Sequence, residues 1–246
     1  MRTESNYSPL PSPNIYQSRK YVILRSQRRI FFLKFIFMTF LGWTVGGIAS
    51  LALEKTFVEL LPAIAPEYQQ NWLIWSKYIT PGVFALIFGA DQGLVVYKYI
   101  SGWWWVSATT FGWLISNYVS SVWIEYISNF AISASQGLSA SDRLIFAIMT
   151  TVAYIFSGVW LGLFQWLVLR RYAIKSWKWI FVPSCSFLSI SVCLIIFTQF
   201  QYFFPTLSQP KFKYLGEQIL TALMLGVIPS IALCTFRIKP SLVEHT

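Results

Sequence analysis

The chain has 246 residues, 56% of them hydrophobic and only 11% charged, with a mean hydropathy of +0.55, whereas a soluble domain carries about 25% charged residues. The 19 Lys+Arg against 9 Asp+Glu give a net charge of +10, but the basic residues stand in short stretches between apolar runs, which points away from nucleic acid and towards anionic lipid headgroups and an orientation signal. With a single histidine, His245, next to the last residue, a histidine-rich metal site, a histidine-ligated haem and a Ser-His-Asp triad are all excluded as expectations, and no metal, cofactor or catalytic residue is assigned.

Residues 1–29 form a polar tail, with Pro11 and Pro13 among serines and asparagines and then Arg19, Lys20, Arg25, Arg28 and Arg29 crowding towards the first apolar run. Ser50-Leu51-Ala52 faintly resembles a signal-peptide cleavage site. The polar lead is too long for one, however, and the apolar run exceeds the usual ~7–15 residues, so an uncleaved first helix is expected. Six apolar segments follow, at 31–53, 78–97, 104–126, 144–169, 177–200 and 218–236. Each is near the ~20 residues a helix needs to cross a ~30 Å hydrocarbon core. Hydrocarbon offers no partner to exposed backbone groups, so an all-α integral membrane bundle is required rather than an open sheet. Residues 30–238 then make one six-helix transmembrane domain, and 239–246 a short tail.

Orientation follows from the loops. With the N-terminus cytoplasmic, that side holds Arg2, Arg19, Lys20, Arg25, Arg28 and Arg29, then Lys98, then Arg170, Arg171, Lys175 and Lys178, then Arg237 and Lys239. The opposite side holds Lys55, Lys77, Arg143, Lys211 and Lys213. The positive-inside rule therefore puts both termini in the cytoplasm, with Arg28, Arg29, Arg170, Arg171, Lys175 and Lys178 as headgroup anchors. Trp72, Trp75, Tyr78, Trp103–Trp105, Trp177 and Trp179 stand at segment ends, as interfacial belts do. On the opposite side, 54–77 contains Pro62 and Pro66 and is expected to lie along the surface. In 128–143, Ser139 with Asp142 three residues on is a cap for the fourth helix. The stretch 201–215 mixes Tyr202, Phe203, Phe204, Phe212 and Tyr214 with Lys211 and Lys213, the profile of an interfacial segment.

An internal repeat organises the middle of the chain. A shift of 73 positions places Gly89 on Gly162, Gln92 on Gln165, Lys98 on Arg171, Tyr99 on Tyr172 and Trp104 on Trp177. Carried further, it lays Gly112, Ser116 and Ser120 on Cys185, Ser189 and Cys193. Gly42, Gly46 and Ser50 repeat the stripe in the first helix; Gly89 and Gly93, Gly158 and Gly162, and Ala222, Gly226 and Ser230 supply small-residue sets in the even helices. Such stripes let helix backbones approach closely in lipid. The second and third segments form one hairpin copy, the fourth and fifth another, and the sixth with the first a circularly permuted third, with Pro229 in place of the glutamine. Pseudo-threefold symmetry about the membrane normal is the expected arrangement. The three cysteines all fall in apolar runs, where thiols behave as small hydrophobes, and no disulfide is expected.

Polar residues inside a span are functional candidates because burying them is costly. Asp91 and Gln92 lie about 10 Å inside the cytoplasmic boundary at ~1.5 Å per residue, Gln165 occupies the same level, and Lys34 enters the first helix from the same side. An Asp91–Lys34 ion pair is one reading. The other is packing glue: glutamines bonding between repeats and Lys34 reaching back to the headgroups. Asp91 has the stronger claim to a specific role, since its counterparts Phe164 and Ile228 are apolar. Glu125 and Arg143 are a candidate pair at the far ends of their helices, and Asn117 is expected to be an interhelical amide. No H-E-x-x-H, G-x-S-x-G, P-loop or Rossmann fingerprint occurs.

The run Gly162-Leu163-Phe164-Gln165-Trp166-Leu167-Val168-Leu169-Arg170-Arg171 followed by Trp177 resembles a G-x-x-Q-W-x-x-L-R element of uncharacterised bacterial polytopic membrane proteins, frequently met in photosynthetic lineages. The resemblance covers the second to fifth helices, and the first copy departs from it at Gly93 and Tyr97. It implies a bacterial inner or internal membrane and a similar helical fold, and carries no activity. The expected function is non-enzymatic: packing with a membrane-protein partner or a second copy, or organising membrane lipids. The alternative is a small-molecule or ion transporter or channel with a polar site at Asp91, Gln92 and Gln165; an enzyme would need two convergent ionisable groups in a polar cavity.

Overall fold

A computed structural model of the chain describes residues 21–133, 139–200, 203 and 209–240. Six long helices make up the fold: α1 (Arg28–Leu60), α2 (Pro66–Val96), α3 (Gly102–Ser133), α4 (Ala140–Leu169), α5 (Val182–Phe200) and α6 (Pro210–Thr235). Each packs on the next in sequence, and α6 returns to pack on α1, so the bundle closes into a ring. Among the described residues, five helical stretches are long and apolar enough to cross a membrane: Arg25–Ala63, Pro66–Val96, Leu144–Leu169, Ser176–Phe200 and Pro210–Thr235. The exception is α3, which carries hydroxyls along its length, among them Thr109, Thr110, Ser116 and Ser121. They are turned to backbone carbonyls or to neighbouring side chains, as in Ser116 Oγ donating to Ser157 O at 2.8 Å and Ser121 Oγ to Asn117 O at 2.8 Å. Large apolar side chains such as Leu33, Phe37, Ile48, Leu94, Phe156 and Ile195 stand more than half exposed around the outside. In water such a surface is an aggregation hazard, and in lipid it is what solvation requires. The chain has the all-α, membrane-embedded character its composition demands.

The helices run further than the apolar segments. The expected surface stretch 54–77 is instead the continuation of α1 and α2, joined by a 3-10 turn at Leu61–Ala63. Its prolines begin elements rather than break them: Pro62 and Pro66 both stand in first turns, where a missing N–H costs nothing. The extension is held together by Trp72 Nε1 donating to Phe57 O at 3.1 Å and by the Phe57–Trp72 ring contact. Pro210 opens α6 in the same way, so 210–215 of the expected interfacial segment is the first part of that helix; 201–202 and 204–208 lie outside the described residues. Ser139 caps α4 as expected, in a full capping box with Asp142. The Arg143 side chain, and with it the Glu125–Arg143 pair, lies outside the described residues.

One end of the ring is tied by the backbone. Ala173–Ile174 (β1) pairs antiparallel with Arg237–Ile238 (β2), and Tyr21 bridges to Arg237. Val22 N–H donates to Phe236 O and Lys239 N–H to Tyr172 O, both at 3.0 Å. The Tyr99 hydroxyl donates to Gln27 Oε1 at 3.1 Å, and Ser101 N–H to the Tyr172 hydroxyl at 3.2 Å. This end therefore gathers the segment before α1, the α2–α3 and α4–α5 connections and the strand after α6, bringing Arg28, Arg29, Lys98, Arg170, Arg171, Lys175 and Lys178 to one rim. Lys175 takes a left-handed conformation (φ 54°) to turn β1 into the 3-10 helix Ser176–Phe181.

The described residues pack into the middle of the ring in two layers. Below the rim, Phe35, Trp105, Trp179, Leu169 and Leu233 form a buried layer. Deeper in, Phe88, Phe187, Ile190 and Leu225 pack with Trp43, Phe84, Trp113 and Tyr154, so that every helix contributes.

Candidate functional site

Gln165 is buried on α4 and bonded at both ends of its amide. Its Nε2 donates to Thr109 Oγ1 on α3 at 3.0 Å, and its Oε1 accepts from Trp179 Nε1, in the turn leading to α5, at 2.9 Å. Gln92 on α2 is likewise buried and accepts from Trp105 Nε1 on α3, at a longer 3.4 Å. Both glutamines join helices, through tryptophans and a threonine: Gln165 reaches from its own hairpin copy to Thr109 of the other, whereas Gln92 bonds Trp105 within its own copy rather than between repeats. Trp105 and Trp179 are each 0% exposed and stack edge-to-face with ring centroids 5.5 Å apart. They are core residues, not the interfacial belt expected of them; Trp103, Trp104 and Trp177 are exposed, as belt residues are.

These pairs also correct the repeat. Gln92 and Trp105 are 13 residues apart, Gln165 and Trp179 are 14 apart, so the 73-residue shift slips by one before α5. The buried stripe of that helix is accordingly Ser186 and Ile190, while Cys185 is exposed and Ser189 and Cys193 only half-buried. The expected stripe was one position off. Elsewhere the small residues do what their spacing implies. A Cβ added at Gly162 would collide with Ile180 O, one at Gly158 would stand 2.8 Å from Ser184 N, and one at Gly226 would stand 3.0 Å from Ile36 Cα.

Asp91 lies on α2 against Gly42 of α1, so closely that a Cβ on that glycine would stand 2.7 Å from Asp91 Oδ2. Among the described residues the carboxylate makes no hydrogen bond and no ion pair; the salt bridges are Lys55–Glu59 and Lys213–Glu217. Lys34 does not meet it. On α1, Lys34 stands two turns nearer the rim than Gly42, exposed, and faces a groove it shares with Lys98. The four candidates therefore separate: the two glutamines are spent on packing, Asp91 rests on glycine, and Lys34 belongs to the rim. Asn117, expected to be an interhelical amide, is exposed on the outer face of α3.

Two cavities open near the basic end. One, of about 730 Å³, lies between α1, α2 and the segment before α1, and holds Lys34, Lys98, Gln27 and Tyr99 above Phe37, Met38 and Leu94. The other, of about 310 Å³, lies between α3 and α4 and holds Trp104, Phe111, Leu167, Arg170, Arg171 and Tyr172. Neither runs through the ring. Burial pushes the Tyr99 phenol above its ordinary value, with the nearby Cys234 adding to the effect, and its hydroxyl donates to Gln27. Among the described residues, no group of three His, Cys, Asp or Glu side chains is placed to hold a metal ion. No protein-family profile, no curated protein and no solved structure matches the chain.

Proposed function

We propose that the chain is a six-span integral protein of a bacterial membrane, both termini cytoplasmic, built as three related hairpins about a pseudo-threefold axis and serving as a non-enzymatic component that packs with a partner or organises lipid. The observation that carries this is the filled interior. Trp43, Trp113 and Phe187, from α1, α3 and α5, meet edge-to-face at the centre with centroids 5.9 and 6.3 Å apart, and the glutamines that would line a pathway are bonded to indoles and a threonine. Transport needs polar groups facing a water-filled space, and here the described cavities lie on the outside of helix pairs. Threefold kinship is supported by Phe35, Trp105 and Trp179, each 0% exposed in one layer, and by the pairing of Gly42 with Asp91 and of Gly112 with Phe164. Placing α3 across the membrane with its neighbours rests on its length and its packing between α2 and α4. Native mass spectrometry after purification in a mild detergent tests the function: retained lipid, a second copy or a reproducible partner is expected, and a bare monomer from every preparation would overturn it.

Asp91 favours the transporter reading, because its carboxylate is not consumed by packing. The deciding measurement is the reactivity of Asp91→Cys towards a charged thiol reagent, with Cys185, Cys193 and Cys234 replaced by Ser. The packing reading expects protection in the folded protein; rapid labelling from the aqueous side, together with loss of an ion flux in Asp91→Asn proteoliposomes, would establish the transporter.

A further inference from the structure

The groove between α1 and α2 has the chemistry of a lipid site. At its mouth stand two cations, Lys34 and Lys98, both exposed and neither in a salt bridge among the described residues. Tyr21 forms part of the wall, and behind it stack the guanidinium groups of Arg28, 4.3 Å from the ring centroid, and Arg25, 5.4 Å away. No carboxylate lines the groove; Asp91 lies deeper, against Gly42. Gln27 is engaged through its Oε1 by Tyr99, which leaves its amide nitrogen to donate. Below this polar mouth the lining turns apolar, with Phe37, Met38 and Leu94, of which Phe37 and Leu94 also belong to the lipid-facing surface. The volume of about 730 Å³ falls within the ~300–1,000 Å³ of small-molecule sites.

Polarity is therefore graded along the groove in the sense of a phospholipid lying parallel to the helices: anion at the rim, hydrocarbon beneath. A soluble anion would use only the mouth. The α3–α4 groove is composed alike, since the shift of 73 places Leu94 on Leu167, Lys98 on Arg171 and Tyr99 on Tyr172. The two grooves differ in size rather than in how their cations are held, since Lys98 lies 5.8 Å from the Tyr97 ring centroid and Arg171 5.6 Å from that of Trp104; at about 730 against about 310 Å³, the α1–α2 groove is the roomier of the two for a lipid.

We infer that the α1–α2 groove binds one anionic phospholipid, its phosphate held between Lys34 and Lys98 and an acyl chain lying along Phe37, Met38 and Leu94. The inference rests on the lipid-organising form of the proposed function and names its site. The test uses the full chain in mild detergent, with added phosphatidylglycerol or phosphatidylcholine and occupancy read by native mass spectrometry. Phosphatidylglycerol is expected to bind and phosphatidylcholine to bind far less. Lys34→Gln with Lys98→Gln should weaken phosphatidylglycerol roughly 25-fold, at about fivefold per lysine near an anionic headgroup. Lys77→Gln with Lys211→Gln, the same charge change at the opposite end, should leave binding intact. Met38→Trp, which fills the floor without altering charge, should weaken binding as the Lys34/Lys98 variant does. Unchanged binding in the Lys34/Lys98 variant, equal binding of the two lipids, or full displacement by inorganic phosphate would overturn the site. Carbonate extraction separates the failures: a chain that stays in the membrane but binds no phosphatidylglycerol loses only the groove, while a chain released from the membrane loses the whole reading.

Discussion

Replacing Gln165 by Leu keeps much of the side chain's size and strands two partners, Trp179 Nε1 and Thr109 Oγ1, away from water. A buried donor left without an acceptor costs more than the bond was worth, and interhelical bonds in membranes are individually modest, so the expected loss is about 1–3 kcal/mol. Gln92→Leu should cost less, because a single bond at 3.4 Å is lost. Thermal unfolding in detergent ranks the two, and equal losses would sink the distinction. Glycines give a second comparison. Gly162→Ala sets a methyl against the Ile180 carbonyl, a backbone atom that cannot swing away, and should cost about 1–3 kcal/mol. Gly47 has nothing within 4 Å of an added Cβ, and Gly47→Ala should be neutral or stabilise by up to about 1 kcal/mol through helix propensity; the same melting experiment checks both. The depth of the two glutamines was legible in the sequence from their apolar flanks. Their partners were not, because tryptophan near a helix end reads equally as belt or core, and only the rotation of the first turn decides that Trp105 and Trp179 face inward while Trp104 and Trp177 face out.

At the level of the element, apolar runs mark what hydrocarbon must cover, not where a helix stops: α1 runs on to Leu60, and α2 and α6 begin ahead of their apolar segments because proline at 66 and 210 starts a helix as readily as it ends one. Where a start signal was specific, the boundary was readable: Ser139 and Asp142 form the reciprocal cap that opens α4. The Ser139 hydroxyl donates to Asp142 Oδ2 at 2.7 Å and the Ser139 backbone N–H at 3.0 Å. These bonds hold the Asp142 carboxyl below the ordinary carboxylate value. A carboxyl whose folded pKa is depressed supports the helix fully above its unfolded value, near 3.8, and the support is lost as pH falls through the lower folded value. Carbon-13 NMR titration of the Asp142 carboxyl should therefore give a midpoint below the ordinary one in the native chain. In Ser139→Ala it should move back up, and an unmoved midpoint would show that the cap does not hold the proton off.

For the whole molecule, closure of the ring depends on α6 meeting α1, the step least visible in the sequence because it joins the two ends of the chain and because the third copy has Pro229 where the others have glutamine. Two neighbouring helices stacked in a row would expose Gly226, whereas in the closed ring Gly226 is buried against Ile36 of α1. The ideal Cβ of residue 226 stands 3.5 Å from the Ile36 Cβ, within the ~3.5–4.5 Å that a disulfide bridges. With Cys185, Cys193 and Cys234 replaced by Ser, the pair Ile36→Cys and Gly226→Cys should therefore cross-link on mild oxidation, giving a linked peptide pair by mass spectrometry. Gly47→Cys with Gly226→Cys should not link, since nothing approaches position 47. Because Gly226 tolerates little extra volume, the cross-link is to be read in native membranes before any melting comparison. Linkage of the first pair alone establishes a closed ring in this register; linkage of both would mean that α6 slides along α1 rather than packing in one register, and linkage of neither that α1 and α6 do not meet along this face and that the shared rim, rather than helix packing, holds the ends together.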